Sequence, residues 1–399
     1  MNVYRNNLDK LMIDGNQLKQ HLIYLSELAK GPNGICRLTY SESFWRSTSY
    51  VATLMRQAGM DVEVTKIGNV IGTYAGDIPN KIVIGSHIDS VVNAGMFDGC
   101  LGVLAGIEAV RTLHDNGIKP HHTIQVVAFA EEEGLVIAGL VGSRAYCGLP
   151  LTSTVENKMK SFGLDQNDYL ADQSLEPIDF SLELHIEQGG LLESESKDIG
   201  VVSAIIAIKR YLVEFSGIEN HAGTTPMLMR DDALIKAARF IQRVREVSLA
   251  TSSNMVGTVG KIDVKPNAVN TIPGKVSLTL ELRSLNEEDL DIAYQKLMNE
   301  FQDDISLCEL TMQQPSYCMD KKVREIIHKA SADLGLQTID MGSGAGHDSM
   351  SLAQVTRSGM IFVPSINGIS HSPLECTSWE DVSNGANVLL NTVMKLDQL

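Results

Sequence analysis

Four short stretches gather imidazole and carboxylate more densely than a solvated surface requires: GSHIDSVVNAGMFD (85–98), AFAEEEG (128–134), ELHIEQG (183–189) and INGISHSPLE (366–375). Each follows an apolar run that reads as a strand, so each would set its polar side chains at a strand's C-terminal end. Taken singly, a His at such a place is more often a hydrogen-bonded structural residue, and a Glu-Glu-Glu run more often a solvated acidic turn. Recurrence changes that balance. His87, Asp98, Glu132, Glu133, His185 and His371 at the ends of one sheet would form an acidic, imidazole-rich pocket, costly unless cations neutralise it.

Imidazole and carboxylate donors without thiolate suit zinc, and equally manganese or another borderline ion. Five such ligands fit two divalent ions that share one bridging carboxylate. Ions roughly 3.5 to 4 Å apart acidify a shared water and polarise a carbonyl, and a glutamate beside a ligand glutamate could act as general base.

Those side chains need a scaffold, and composition bounds it. The chain has 399 residues, 44% of them apolar, which exceeds the usual single domain and suggests two. A formal charge of −16 and a pI near 5.1 argue against nucleic acid as a partner, because phosphates require a basic face. MNVYRNNLDKLMIDG at the N-terminus shows no apolar leader-like run, and no oily stretch approaches the ~20 residues of a membrane span. A cytoplasmic location with no membrane partner is expected. The six cysteines form no C-x-x-C pair and read as reduced thiols.

Along the chain, helical periodicity over 17–28, 41–58 and 99–116 alternates with strand patterns over 61–74, 81–86 and 123–130. This predicts an α/β fold, with helices packed on a mostly parallel central sheet. In such sheets ligands bind beyond the C-terminal strand ends. The texture changes over 211–323, where strands at 210–215, 255–264 and 275–283 mix with helices at 231–247 and 287–303. That pattern predicts a small antiparallel α+β domain, inserted between 1–210 and 324–399 of a discontinuous large domain. SGAGHDS (343–349) spaces its glycines, with Gly342, as G-x-G-x-G, which does not match a dinucleotide fingerprint.

The motifs GSHIDSVVNAGMFDG, AEEEG, ELHIEQG, NHAGTTPM, SGAGHDS and ISHSPLE, in this order and over nearly the whole chain, resemble the M20 metallopeptidase superfamily. Within it they resemble the amidase branch that hydrolyses ureido compounds: N-carbamoyl-L-amino acid hydrolases, allantoate amidohydrolases and beta-ureidopropionases. The resemblance implies that His87, Asp98, Glu133, His185 and His371 hold two divalent ions, with Asp98 bridging, and that Glu132 is the general base. It casts Glu131 as a solvated neighbour and Asp89 as a hydrogen-bond partner of His87 that fixes its tautomer.

The resemblance also implies that the inserted domain serves as a dimerisation and lid domain, and that its His221 stabilises an oxyanion in the partner's site of a homodimer. Asn270 and Arg283, with Gln188 nearby, would bind a small-molecule substrate's carboxylate, a task suited to a planar guanidinium fork. His347 and Asp348 would line the site or, as readily, support its loop. PSINGISHSP leans toward allantoate, with N-carbamoyl-L-amino acids next; an aminoacylase or dipeptidase of the same fold, or an inactive small-molecule-binding relative, are the alternatives. One departure from the amidase branch is the aliphatic segment Leu135 to Val141, which bears on side-chain preference and leaves the ligands untouched.

Overall fold

The computed structural model describes residues 11–399. Met1–Lys10, the start of the stretch read for a leader-like run, lies outside the described residues. The chain divides into two compact units, one running to Ser203 and resuming at Cys318–Leu399, the other Ala204–Tyr317. The sequence reading drew these limits at 211 and 323, several residues further along.

The large unit is built on one mixed sheet. Its order is Tyr317–Cys318, Ile199–Ile205, Arg357–Val363, Ile178–Ile186, Ile78–His87, His122–Phe129, Val70–Tyr74 and Asp61–Val64, with Thr338–Ser343 also pairing Ile199–Ile205. The sheet departs from the mostly parallel expectation. The four strands from Arg357–Val363 to His122–Phe129 pair in parallel, and antiparallel pairings flank them on both sides. The 61–74 segment is two strands, Asp61–Val64 and Val70–Tyr74, folded on each other as a hairpin.

The parallel strands carry buried apolar runs, such as Ile82, Val83 and Ile84, because helices cover both faces; the polar residues within them, such as Ser181 and Glu183, are buried too. In register, His87 lies opposite Phe129 and His185 opposite Phe362. All four strands therefore end at one edge of the sheet, and the four polar stretches leave from that edge. The helix Cys100–Asp115, which follows the first of them, buries nearly every residue through Val110. It can lie this close because Gly102 has no side chain: a Cβ there would sit 2.3 Å from the Leu184 carbonyl oxygen.

The small unit is a four-stranded antiparallel sheet ordered Val256–Lys265, Lys275–Ser284, Ala207–Ser216 and Ile305–Gln314. Val276, Leu278, Leu280 and Leu282 alternate inward along the second strand and share a core with Phe240, Val244, Leu290 and Leu297 of the helices Ala233–Thr251 and Glu287–Phe301. Each fully buried side chain of this kind contributes about 1.5–3 kcal/mol. The strand Ile305–Gln314 was not anticipated. It is an edge strand that is largely exposed, so burial did not impose the apolar alternation that betrays a strand.

Among the described residues no helix is long and apolar enough to cross a membrane.

Candidate metal centre

Asp98 is the focus of the site. It leaves the loop after the Ile78–His87 strand, and its neighbour Gly99 turns the chain into the next helix at φ 66°. A Cβ on Gly99 would fall 2.5 Å from the His87 ring, so a side chain at 99 would displace that imidazole. Asp98 Oδ1 lies 3.1 Å from His185 Nε2 and 3.6 Å from His87 Nε2, and Oδ2 lies 3.2 Å from His371 Nε2. His371 in turn stands 3.7 Å from Glu133, and His87 stands 3.7 Å from Glu132. His87, Asp98 and His185 thus form one ligand-sized group and Asp98, Glu133 and His371 a second, with Asp98 common to both.

The hydrogen bonds decide what the imidazoles offer. His87 Nδ1 sits 3.0 Å from the Asp89 carbonyl oxygen and His185 Nδ1 2.9 Å from the Ile186 carbonyl oxygen, so both donate from Nδ1. Their Nε2 atoms then carry lone pairs, and the Gly99 N–H donates to that of His185 at 3.1 Å. A lone pair facing a carboxylate oxygen at this distance is repulsive unless a cation lies between or the ring takes a second proton. The donor set therefore fits divalent metal.

Electrostatics give the same answer. Burial alone would press His87 down, yet Glu132, Asp98 and Asp89 hold its pKa well above the ordinary value. Burial pushes Glu132 well above the ordinary range, a push that His87 opposes and Asp348, Glu133 and Asp89 reinforce. Burial also raises Glu133.

The carboxylate of Asp89 does not bond His87. Its two oxygens accept the backbone N–H groups of Glu132 (3.3 Å) and Glu133 (3.2 Å), so it fixes the acidic loop, while its carbonyl sets the His87 tautomer. Glu131 is not a solvated neighbour either. It is 1% exposed, and its carboxylate folds back onto the N–H groups of Val136 and Ile137, closing the turn from within.

Gln188 donates from Nε2 to Asp98 at 3.2 Å, and its buried Oε1 has no partner. Gln188 and His371 both hold left-handed backbone (φ 59° and 52°), strain that a bulky side chain tolerates only where its surroundings over-determine it. His347, as buried as His87 and His185, is bonded to Ser343 at 2.8 Å and packs edge-on against His185. Burial and the His185 ring hold it well below the ordinary pKa, hence neutral. Asp348 is fully buried with neither carboxylate oxygen hydrogen-bonded, and burial, with Glu183 next, pushes it up to about 8.

Three named residues belong to the small unit. His221 is exposed in the two-residue strand Asn220–His221, opposite Thr271. Its Nδ1 accepts from Gly223 N (3.0 Å) and Thr224 N (3.2 Å), so the proton sits on Nε2, a free donor. Asn270 shares that corner, its carbonyl accepting from Ala222 N at 2.9 Å. Arg283 lies near the end of the Lys275–Ser284 strand, roughly 27 Å along it from Lys275 at about 3.4 Å per residue. There it forks onto Glu281, which also takes Arg210. Within one unit, then, Asn270 and Arg283 do not meet on a single carboxylate.

Residues 83–395 match the family model described as Peptidase family M20/M25/M40. The chain belongs to this family. It is 37% identical over 410 residues to an N-carbamoyl-L-amino acid amidohydrolase of Geobacillus stearothermophilus, covering 97% of this chain and 100% of that one. It is 34% identical over 396 residues to an allantoate amidohydrolase of Escherichia coli, covering 93% and 95%. A crystal structure of a hydantoinase/carbamoylase family amidase from Burkholderia multivorans superposes with a TM-score of 0.88 at 32% identity, covering 96% of this chain and 98% of that one. This M20 member is accordingly a metal-dependent hydrolase of C–N bonds.

Sequence reasoning passed over Glu375, though it lies in the quoted ISHSPLE. Its carboxylate accepts the N–H groups of Phe97 (2.9 Å) and Asp98 (3.1 Å) and so orients the shared ligand. It also missed Arg37, buried at 1% exposure, which donates to the Ile88 carbonyl at 2.7 Å beneath the His87 loop. Neither carries a signal in the sequence, because each acts on backbone atoms whose position the fold alone determines.

Proposed function

We propose that this protein is a binuclear-metal amidohydrolase cleaving the C–N bond of a ureido (N-carbamoyl) group on a small carboxylate-bearing acid, allantoate first and N-carbamoyl-L-amino acids next. The observation that carries this reading is Asp98, with one carboxylate oxygen facing the Nε2 atoms of His87 and His185 and the other facing that of His371. When bound, zinc or manganese there would polarise the ureido carbonyl and acidify the attacking water.

The chain's own residues divide the remaining work. Glu132, whose burial raises its affinity for a proton, takes as the carboxylate the proton of the water and delivers it to the departing nitrogen. Gln188 offers its unpartnered Oε1 as an acceptor for a ureido N–H. His221 offers Nε2–H to the oxyanion, a donor worth most where water is excluded. Arg283 and Asn270 hold the carboxylate, and their separation within one small unit supports a homodimer in which the two come from different subunits and the small unit acts as a lid. A cytoplasmic location fits the same reading.

The test is hydrolysis by protein reconstituted with Zn(II) or Mn(II), read as ammonia released from allantoate and N-carbamoyl-L-amino acids and, in parallel, as free amino acid released from N-acetyl amino acids and dipeptides. Turnover of either ureido acid supports the reading and ranks the two substrates. Turnover confined to acyl amino acids or dipeptides replaces it with an aminoacylase or dipeptidase. Silence on all four, with no bound ion, leaves an inactive relative.

A further inference from the structure

The loop that carries Glu132 and Glu133 leaves the sheet at Ala130 and ends at Gly142, in the short helix Val141–Tyr146, where the Gly142 N–H donates to the Ala130 carbonyl at 2.9 Å. A loop of this length is free to wander unless its neck is closed. One side chain from a different element closes it. Asn69, fully buried just before the Val70–Tyr74 strand, accepts the Ala130 N–H on Oδ1 at 2.8 Å and donates from Nδ2 to the Gly142 carbonyl at 3.0 Å. The same Nδ2 donates to Asp172 Oδ2 at 2.7 Å, and Asp172 is itself held by Thr65 Oγ1 at 2.8 Å.

No other side-chain type of this size meets those demands, because the site requires an acceptor on one atom and a donor of two bonds on the next. The fit is also tight: a Cβ on Gly142 would lie 2.2 Å from Asn69 Oδ1. We infer that Asn69, oriented by Asp172, is a positioning residue for the reaction, clamping both ends of the 131–141 loop so that Glu132 and Glu133 face the metal ligands. The catalytic half of this inference rests on the reading of Glu132 as general base; the clamp itself does not.

Asn69→Asp keeps the acceptor for Ala130 but turns two donated bonds into contacts between acceptors, facing Gly142 and Asp172. Asp172→Asn restores a donor across the second of these, so the exchanged pair Asn69→Asp/Asp172→Asn re-forms one bond with its polarity reversed. Two readouts are taken on folded protein, normalised to bound metal. The first is amide hydrogen exchange over 131–141, which reports the clamp whether or not any ureido acid is turned over. The second is the split between kcat and KM on the best ureido substrate.

The expected result for Asn69→Asp is faster exchange confined to 131–141 and a kcat lowered roughly 10- to 100-fold at near-constant KM, both recovering in part in the exchanged pair. Unchanged exchange in Asn69→Asp overturns the clamp. Faster exchange with unchanged kcat overturns the positioning role alone. An exchanged pair no better than Asn69→Asp removes Asp172 from the device. Wild-type protein inactive on every ureido acid, with exchange behaving as expected, counts against the proposed function and leaves the clamp standing.

Discussion

Asp98 Oδ1 stands 3.1 Å from His185 Nε2, and that imidazole already donates from its other nitrogen to the Ile186 carbonyl. Two acceptors at this distance call for a cation between them or a second proton on the ring. Asp98→Asn turns half of the shared carboxylate into a donor and removes its charge. Metal affinity should fall by more than the roughly 100-fold seen at the upper end for outer-shell changes, measured by elemental analysis after dialysis against graded chelator. Undiminished metal content would remove Asp98 from the shared-ligand role.

Glu132 is separable from the ligands. Glu132→Gln keeps the size of the side chain and cannot carry the proton. The variant is expected to bind metal as the wild type does while kcat drops by roughly 10² to 10⁴. Full activity would require a different base, and lost metal would make Glu132 a ligand.

The separation of Asn270 from Arg283 within one small unit predicts complementation between subunits. Protein carrying His221→Ala and protein carrying Asp98→Asn should each be inactive. Unfolded and refolded together, they should regain activity that neither has alone, because one site of each mixed dimer would receive both an intact metal centre and an intact His221 from different chains. No recovery in mixtures shown by native mass spectrometry to contain heterodimers would place His221 in its own subunit's site.

Asp172 gives the stability a pH dependence of known sign. Burial pushes its pKa up to about 7, against the hydrogen bonds from Thr65 and Asn69 and with Glu63 and Asp168 adding to the push. The folded state thus holds a proton that the unfolded chain releases near pH 4. Its contribution to stability falls as pH rises from about 4 to about 7, then levels. Asp172→Asn removes the titration, so its Tm relative to wild type should climb by a few degrees between pH 5 and pH 8, read by differential scanning calorimetry. A difference that does not change with pH would mean Asp172 ionises normally.

Much of the candidate site was legible in the residues. His87, Asp98, Glu132, Glu133, His185 and His371 could be gathered because metal chemistry restricts the donor types, and because each donor follows an apolar run recognisable as a strand. The central strands were open to reading as well, since burial on both faces gives them apolar runs such as Ile82 to Ile84. Glu131 was misjudged, Asp89 sets the His87 tautomer as expected but through its carbonyl, and His347 could not be told from a structural residue, all for a common reason. A carboxylate that caps backbone N–H groups inside the protein is spelled the same way as one in water, and an imidazole behind a ligand the same way as one facing substrate.

What the sequence determined by itself is the donor inventory and its placement at strand ends: local pattern and chemical type suffice for both. Tertiary structure decided the rest, through distances between residues far apart in the chain. It set Asp98 against His371 across 273 positions, brought Asn69 to Ala130 and Gly142, and set Arg283 onto Glu281. The physical reason is that a hydrogen bond or a ligand group is satisfied in three dimensions, by backbone atoms as often as by side chains, and those atoms are placed only once the sheet has assembled.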